Sequence, residues 1–393
     1  MKINLSNRVM QVKPSPTLAV SEKADALKKQ GLNIISLGTG EPDFDTPDNI
    51  KQAAINAINS GFTKYTAVDG IIELKQAIKT KFHNDNQVDY NLDQILVSVG
   101  GKQSCFNLCL AVLNPEDEVI IPAPYWVSYP DMVKLAEGVP VIIPTTPNAQ
   151  YKITPNQLES AITPKTKLLF INSPSNPSGV AYTLDELKEL GEVLKKYPHV
   201  LIASDDMYEH IIWSHKFVNI LNACPELYSR TILLNGVSKA YSMTGWRIGY
   251  AAGPVDIIKA MKKIQSQSTS NPCSIAQKAA TEALTGGQEF VENMVKSFHE
   301  RHNYVVMRLR DMPGVEVVPA DGTFYIFPNV QKIINTKGLA NDIEFAENLL
   351  QDVGLAIVPG SAFGTEGCIR ISFAVSMETL KDAMDRLEKF INT

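Results

Sequence analysis

Short apolar runs alternate with segments of helical periodicity through the middle of the chain. The runs that predict buried strands are 118–121, 139–143, 168–172, 200–204, 231–234 and 248–252. Helices are predicted between them, at about 128–137, 184–196 and 255–266. This alternation is typical of a mostly parallel sheet with helices on both faces. The predicted fold class is α/β, and functional residues are expected where the strands end.

The two ends of the chain have a different pattern. Before the alternating region we predict an irregular arm to about residue 15. Helices are predicted at 17–30, 47–60, 70–84 and 100–113, and strands at 34–37 and 95–99. After Asn271-Pro272 the pattern is helical to about residue 311, with a break at Gly286-Gly287. Strands at 315–318, 323–327, 355–358 and 369–373, with helices at 343–353 and 378–391, then predict an α+β lobe. The predicted division is an N-terminal arm with part of a small domain (1–46), a large domain (47–295) and the remainder of the small domain (296–393).

Composition narrows the class of protein. A chain of 393 residues favours two domains, and a net charge of −5 favours neither a nucleic-acid groove nor a basic membrane patch. No apolar run approaches the roughly 20 residues of a membrane helix, and the first 20 residues lack the apolar core of a secretory signal. Cys105 and Cys109 are one helical turn apart, but no further ligand lies near them in sequence, so no metal site is predicted. The expected location is the cytoplasm.

Two glycine-containing loops are candidate ligand sites. The loop Gly38-Thr39-Gly40 lacks the third glycine of a dinucleotide-binding fingerprint, although its backbone could approach a ligand closely. Gly100 and Gly101 stand between a predicted strand and a predicted helix. Backbone N–H groups at such a helix start can bind a phosphate, but a tight turn without a ligand is equally compatible with this pattern.

Polar side chains follow several of the predicted strands. Lys239 lies among small residues after the strand at 231–234, eight positions before Arg247, and Asp205 follows the strand at 200–204. Tyr208, Asn176 and Trp126 occupy comparable positions. Pyridoxal phosphate needs a lysine amine for its aldehyde, a carboxylate for its ring nitrogen and an aromatic face for its ring. Its phenolic oxygen needs hydrogen-bond donors, and its phosphate needs backbone N–H groups and an arginine. Together these residues predict a pyridoxal 5′-phosphate site.

The segment 236–249 resembles the lysine-attachment signature of class I pyridoxal-phosphate-dependent aminotransferases. The segments 38–44, 100–103, 124–129, 172–179, 204–210 and 368–374 extend the resemblance, in the family's order and over nearly the whole chain. The nearest resemblance is to the bacterial aspartate aminotransferases with Gly-Gly-Lys in the phosphate loop, some of which also act on prephenate. It implies the type I pyridoxal-phosphate enzyme fold, with the cofactor bound by the large domain, and a homodimer with active sites at its interface.

The resemblance also implies a role for each site residue. Lys239 is expected to form the imine with the cofactor and to move the substrate's α-proton. The expected cofactor-binding residues are Gly100, Gly101, Lys102, Trp126, Asn176, Asp205, Tyr208, Ser238, Lys239, Arg247 and, from a partner subunit, Tyr65. The expected substrate-binding residues are Gly40, Lys102, Trp126, Asn176, Arg370 and Thr17, with Ser15 near the entrance. Arg370 would bind the α-carboxylate, and Lys102 the second carboxylate of a dicarboxylic substrate.

The expected reaction is ping-pong transfer of the amino group of L-aspartate to 2-oxoglutarate, which gives oxaloacetate and L-glutamate. The expected partners are small amino acids and 2-oxo acids, without nucleic acid or membrane. Aminotransferases that use prephenate or aromatic substrates are an open alternative. A pyridoxal-phosphate lyase and a cofactor-free binding protein on the same fold are more distant ones.

Overall fold

The computed structural model describes residues 3–12, 14 and 16–393, without the side chains of Pro16 and Leu18. Its helices are α1 Asn7–Met10, α2 Pro16–Lys29, α3 Asp48–Asn59, α4 Ile72–Asn86, α5 Gly101–Val112, α6 Tyr129–Leu135, α7 Pro155–Ala161, α8 Leu184–Lys195, α9 Ile220–Ala223, α10 Val255–Ser266, α11 Ser274–Thr285, α12 Glu289–Asp311, α13 Gln331–Thr336, α14 Asp342–Val353 and α15 Met377–Asn392. Its strands are β1 Ile35–Ser36, β2 Ile95–Ser98, β3 Glu118–Pro122, β4 Val139–Ile143, β5 Thr166–Asn172, β6 Leu201–Asp205, β7 Thr231–Gly236, β8 Gly249–Ala252, β9 Tyr325–Ile326, β10 Leu355–Ala356, β11 Val358–Pro359 and β12 Ile369–Ser372.

The central sheet has seven strands in the order β2-β8-β7-β6-β5-β3-β4. Strand β8 is antiparallel to both of its neighbours, and the other pairs are parallel. Core clusters lie on both sides of this sheet, which explains the continuous apolar runs of its inner strands. Asn172 at the end of β5 pairs with Asp205 at the end of β6, and β7 ends beside them. The mostly parallel α/β fold predicted from the sequence is therefore confirmed.

Two small sheets connect the beginning of the chain with its end. Strand β1 pairs in parallel with β10, and β12 lies between β11 and β9 in an antiparallel sheet. A backbone hydrogen bond of 2.8 Å from the Ser372 N–H to the Leu37 carbonyl joins the two sheets. This arrangement places the loop after β1, with Gly38 and Gly40, next to Arg370 on β12.

Some predicted elements differ from the structure. The predicted strand at 315–318 is wrong, since only an isolated bridge from Glu316 to Asn329 forms there. The predicted strand at 355–358 is two strands, because β10 joins β1 while β11 joins β12. The predicted irregular arm contains the short helix α1, and the short helices α7, α9 and α13 were not predicted. Of the helices in the described part of the chain, none combines the length and the apolar character that crossing a membrane requires.

Candidate active site

A cavity of about 240 Å³ opens at the carboxyl ends of β5, β6 and β7. The predicted site residues that line it are Thr17, Gly40, Gly101, Lys102, Trp126, Asn176, Asp205, Tyr208, Ser238, Lys239, Arg247 and Arg370. Gly100 adjoins the cavity through Arg247, whereas Tyr65 lies outside it with 91% of its surface exposed. Ser15 lies outside the described residues. Folding thus brings together residues that are up to 353 positions apart, from Thr17 to Arg370, around one space.

Lys239 follows β7 and projects into this cavity. Its Nζ donates a hydrogen bond of 2.6 Å to the carbonyl oxygen of Gly40. Burial, followed by the positive charge of Arg370, lowers the pKa of Lys239 to about 8, although the nearby carboxylates oppose the shift. Because the neutral amine is the form that reacts as a nucleophile or base, the lowered pKa increases the reactive fraction of Lys239 near neutral pH.

Asp205 is a buried carboxylate at the end of β6. It accepts a hydrogen bond from the hydroxyl of Tyr129 and another, of 3.3 Å, from the backbone N–H of Met207. Burial raises the pKa of Asp205, while the bond from Tyr129 acts in the opposite direction. The Tyr129 ring lies between Phe170, with centroids 4.5 Å apart, and the edge of Trp126. The carboxylate is therefore held in place by two hydrogen bonds, within the electrostatic influence of the Lys239 charge.

The loop before α5 has the geometry of an anion cradle. Gly100 has a φ of 83°, and a Cβ at this position would overlap the guanidinium of Arg247. Arg247 has a left-handed φ of 57° and donates a hydrogen bond of 2.8 Å to the Thr244 carbonyl. The first N–H groups of α5 have no acceptor within their own helix, and the helix dipole adds positive potential. A phosphate group fits this combination of donors and charge.

Arg370 is a buried cation of the site, with 2% of its surface exposed. Its Nη1 donates to the Asn176 side-chain oxygen at 2.9 Å, and its Nη2 donates to the Gly38 carbonyl at 2.6 Å. The guanidinium lies over the rings of Tyr325 and Phe363, 4.4 and 4.9 Å from their centroids. Its Nε is buried without a hydrogen-bond partner among the described residues. A buried cation with an unused donor is suited to bind a carboxylate.

Lys102 supplies another positive charge at the rim. Its Nζ lies 5.1 Å from the centre of the Trp126 ring. Partial removal from water, followed by the charge of Arg247, lowers the pKa of Lys102. The cavity thus carries cations from three separate parts of the chain, Lys102, Arg247 and Arg370, in addition to Lys239.

Five lining residues were not predicted as site residues: Tyr129, Asn172, Met207, Thr244 and Tyr325. Tyr129 is the last residue of the segment 124–129 that extends the family resemblance, so that segment could have indicated it. Asn172 ends a strand. Its side-chain amide donates to the Asp205 carbonyl and accepts from the Asn176 N–H, both at 2.9 Å. Tyr325 gave no local signal, since its contacts come from distant segments.

The donor set fits pyridoxal 5′-phosphate. The cradle at Gly100 and Arg247 suits the phosphate, and the buried Asp205 suits a protonated ring nitrogen. The amine of Lys239 faces the same cavity. Arg370 lines the same cavity and supplies a further cation that suits a substrate carboxylate.

Comparisons with known proteins agree with this chemistry. The family model for class I and II aminotransferases matches residues 33–387. The aspartate/prephenate aminotransferase of Nitrosomonas europaea is 56% identical to this chain, and the match covers 99% of this chain and all of the relative. The aspartate/prephenate aminotransferase of Cereibacter sphaeroides is 53% identical, and the match covers 98% of this chain and 98% of the relative. The crystal structure of the Rhizobium meliloti aspartate aminotransferase superposes with a TM-score of 0.95 at 45% identity, covering 100% of this chain and 99% of that one. The Thermus thermophilus aspartate aminotransferase with maleate has a TM-score of 0.93 at 40% identity, covering 99% of this chain and all of that one.

Proposed function

The chain belongs to the class I and II aminotransferases, which use pyridoxal 5′-phosphate, and from this premise we propose that it moves the amino group of L-aspartate to 2-oxoglutarate. The products are oxaloacetate and L-glutamate, formed in two half-reactions. The observation that carries the proposal is the pair of cations Arg370 and Lys102 in one cavity with Lys239. Two cations match the two carboxylates of aspartate, glutamate and their oxo acids. Relatives named aspartate/prephenate aminotransferases support prephenate, also a dicarboxylate, as a second acceptor.

We propose that the cofactor is held by the residues that surround the cradle and the ring. Gly100, Gly101, Lys102, Ser238 and Arg247 bind its phosphate, and Trp126 lies against its ring. Asp205 pairs with the ring nitrogen, while Tyr208 and Asn176 donate to the phenolic oxygen. When bound, the cofactor supplies a ring that withdraws the negative charge left at the substrate Cα by proton removal.

Lys239 has both a covalent and a proton-transfer task in this proposal. Its amine would hold the cofactor covalently, and the amino group of the incoming substrate would take its place there. The lysine amine set free in this way would accept the proton from the substrate Cα and deliver it on the cofactor side. The lowered pKa supports this, because an amine with a pKa of about 8 accepts and releases protons near neutral pH.

Substrate orientation is proposed to come from Arg370 and its neighbours. Arg370 binds the α-carboxylate through its guanidinium, assisted by Asn176 and by the backbone at Gly40. Lys102 and Thr17 receive the second carboxylate at the cavity rim. The Thermus thermophilus neighbour was crystallised with maleate, a dicarboxylate, which supports this specificity.

A screen of the purified holoenzyme tests the proposal. Aspartate, glutamate, alanine and aromatic donors are each paired with 2-oxoglutarate, oxaloacetate and prephenate. The aspartate–2-oxoglutarate pair is expected to give the highest kcat/KM among the non-aromatic pairs. Activity with aromatic donors alone would contradict the proposal, and a prephenate rate that equals the 2-oxoglutarate rate would favour the second acceptor.

The variant Lys102→Ala tests the selectivity. The ratio of kcat/KM for aspartate to that for alanine is expected to fall about tenfold or more, because a charge-assisted hydrogen bond contributes about 1.5–3 kcal/mol. Lys165→Ala is the matched control, since Lys165 forms an exposed pair with Glu116. An unchanged ratio in Lys102→Ala would show that the second carboxylate binds elsewhere.

We further propose a homodimer in which Tyr65 reaches the phosphate of the second copy. Its 91% exposure outside its own cavity supports this. Two variants are compared, one with Lys239→Ala and one with Tyr65→Ala, and each is expected to be inactive or weak alone. A mixed dimer of the two would contain one intact site, with Lys239 from one chain and Tyr65 from the other, and would regain activity. No recovery would place Tyr65 in its own site or outside both. The domain division at residues 46 and 295 and the cytoplasmic location are parts of the same proposal.

A further inference from the structure

Two buried tyrosines from different parts of the fold meet at the cavity. The hydroxyl of Tyr208, on the loop after β6, donates a hydrogen bond of 3.2 Å to the hydroxyl of Tyr325 on β9. Both residues line the cavity and are almost fully buried. Among the described residues, none accepts the proton of Tyr325. Tyr325 therefore brings an unused hydrogen-bond donor next to Tyr208.

The surroundings of Tyr325 keep this hydroxyl neutral and in place. Burial raises the pKa of Tyr325, with a smaller opposing effect of Arg370, so the hydroxyl remains protonated. Its ring lies under the Arg370 guanidinium, 4.4 Å from ring centroid to Cζ. Its oxygen lies only 2.7 Å from the point where a Cβ would stand on Gly40, so that glycine leaves room for it. The carbonyl of Gly40 in turn accepts from Lys239.

We propose that Tyr325 is a positioning residue that acts through Tyr208 on the phenolic oxygen of the cofactor. The inference rests on the proposed contact between Tyr208 and that oxygen. A tyrosine hydroxyl has one proton and two acceptor sites. When Tyr208 donates its proton to the cofactor it cannot also donate to Tyr325, and Tyr325 then donates to Tyr208.

The hydrogen bond from Tyr325 to Tyr208 strengthens the one from Tyr208 to the cofactor's phenolic oxygen. Hydrogen bonds in series strengthen one another by about 10–30% per bond. The negative phenolic oxygen is therefore stabilised more by Tyr208 with Tyr325 behind it than by Tyr208 alone. A purely structural tyrosine would contribute its ring, which lies under the Arg370 guanidinium and beside Phe324, and not its hydroxyl.

Tyr325→Phe in the holoenzyme separates the hydroxyl from the ring. The measured quantity is the midpoint of the pH titration of the cofactor's visible absorption band. In Tyr325→Phe the midpoint is expected to rise by a few tenths of a pH unit, about a twofold to fourfold change in proton affinity, because the deprotonated form loses support. The KM for aspartate is expected to stay within about twofold, since the ring under Arg370 remains. An unchanged or lowered midpoint would overturn the inference.

Two further variants complete the test. Tyr208→Phe is expected to raise the midpoint by about one pH unit or more. The double variant Tyr208→Phe/Tyr325→Phe is expected to raise it by the same amount, because Tyr325 acts only through Tyr208. An additional shift in the double variant would show that Tyr325 acts independently of Tyr208 and would overturn the inference. An unchanged midpoint in Tyr208→Phe would overturn the proposed contact of Tyr208, and this inference with it. Tyr90→Phe is the matched control, because it too removes a buried tyrosine hydroxyl. The Tyr90 hydroxyl lies outside the cavity and has no hydrogen-bond partner among the described residues. The midpoint of Tyr90→Phe is expected to equal that of the unmodified enzyme, and a shift as large as that of Tyr325→Phe would count against the inference.

Discussion

Replacing Tyr129 with phenylalanine removes the hydroxyl that donates to the Asp205 carboxylate and leaves the ring in place. The ring itself is well supported, since it stacks on Phe170 with centroids 4.5 Å apart and packs edge to face with Trp126 with centroids 5.3 Å apart. The variant therefore changes the state of Asp205 with little effect on the packing of the core.

The size of the effect follows from the partners of Asp205. Burial already raises its pKa, and Tyr129 supplies the main opposing hydrogen bond. The remaining donor, the Met207 N–H, is a longer bond of 3.3 Å. A hydrogen bond to a charged group contributes about 1.5–3 kcal/mol, which corresponds to about a 10- to 150-fold change in an equilibrium constant. Since only the ionised carboxylate pairs with a protonated ring nitrogen, the Kd for pyridoxal phosphate is expected to rise about 10- to 100-fold.

The assay is a titration of cofactor-free protein with pyridoxal phosphate, followed by absorbance or by quenching of tryptophan fluorescence. Thermal unfolding without cofactor shows whether Tyr129→Phe is folded, and Tyr90→Phe controls for the loss of a buried hydroxyl. The pKa of Asp205 rises further in Tyr129→Phe, so cofactor affinity is expected to decline at a higher pH than in the unmodified protein as the pH is lowered. A folded Tyr129→Phe with a Kd within about threefold of the original would refute the reasoning.

Two further predictions concern the lysines of the fold. In cofactor-free protein, the rate at which Lys239 reacts with a small acylating reagent should rise with pH and level off above about pH 8, because its pKa is lowered to about that value. Exposed lysines should continue to gain reactivity towards pH 10 and above. Peptide mass analysis of labelling at several pH values measures this, and a Lys239 profile like that of the surface lysines would contradict the prediction. Lys81→Met should lower the free energy of unfolding by about 3–5 kcal/mol, because it removes the buried ammonium that pairs with the buried carboxylate of Glu209. Denaturant unfolding measures this loss. Lys165→Ala is the control, since its exposed ion pair contributes at most about 1 kcal/mol. Equal losses in the two variants would show that the Lys81–Glu209 pair contributes no more than an exposed one.

Much of the central fold could be predicted from local patterns. The helix predicted at 255–266 is α10 with the same bounds, and each strand predicted between residues 118 and 252 is present within two residues. Patterns succeed there because strands covered on both faces require continuous apolar runs, and their helices require one apolar face. The prediction at 315–318 was wrong because the same residue types can also pack as a loop against a core.

The candidate site was predictable to the extent that its residues follow strands. Asp205 and Lys239 were identified because they come directly after the apolar runs of β6 and β7. The resemblance to a family added Arg370, which has no such local signal. Tyr129 and Tyr325 were not predicted as site residues, because their importance comes from partners 76 and 117 positions away in the chain.

The sequence alone determined the order of the elements, the strand ends that carry chemistry and the kind of cofactor that suits them. The tertiary structure decided which distant groups meet. The Lys239 amine contacts a carbonyl 199 positions away, and Arg370 contacts an amide 194 positions away. These pairings, and the burial that lowers the pKa of Lys239, depend on how the small sheets pack beside the central one. Periodicity reports only what a residue's immediate neighbours require, whereas the state of a buried charge is set by every group that surrounds it.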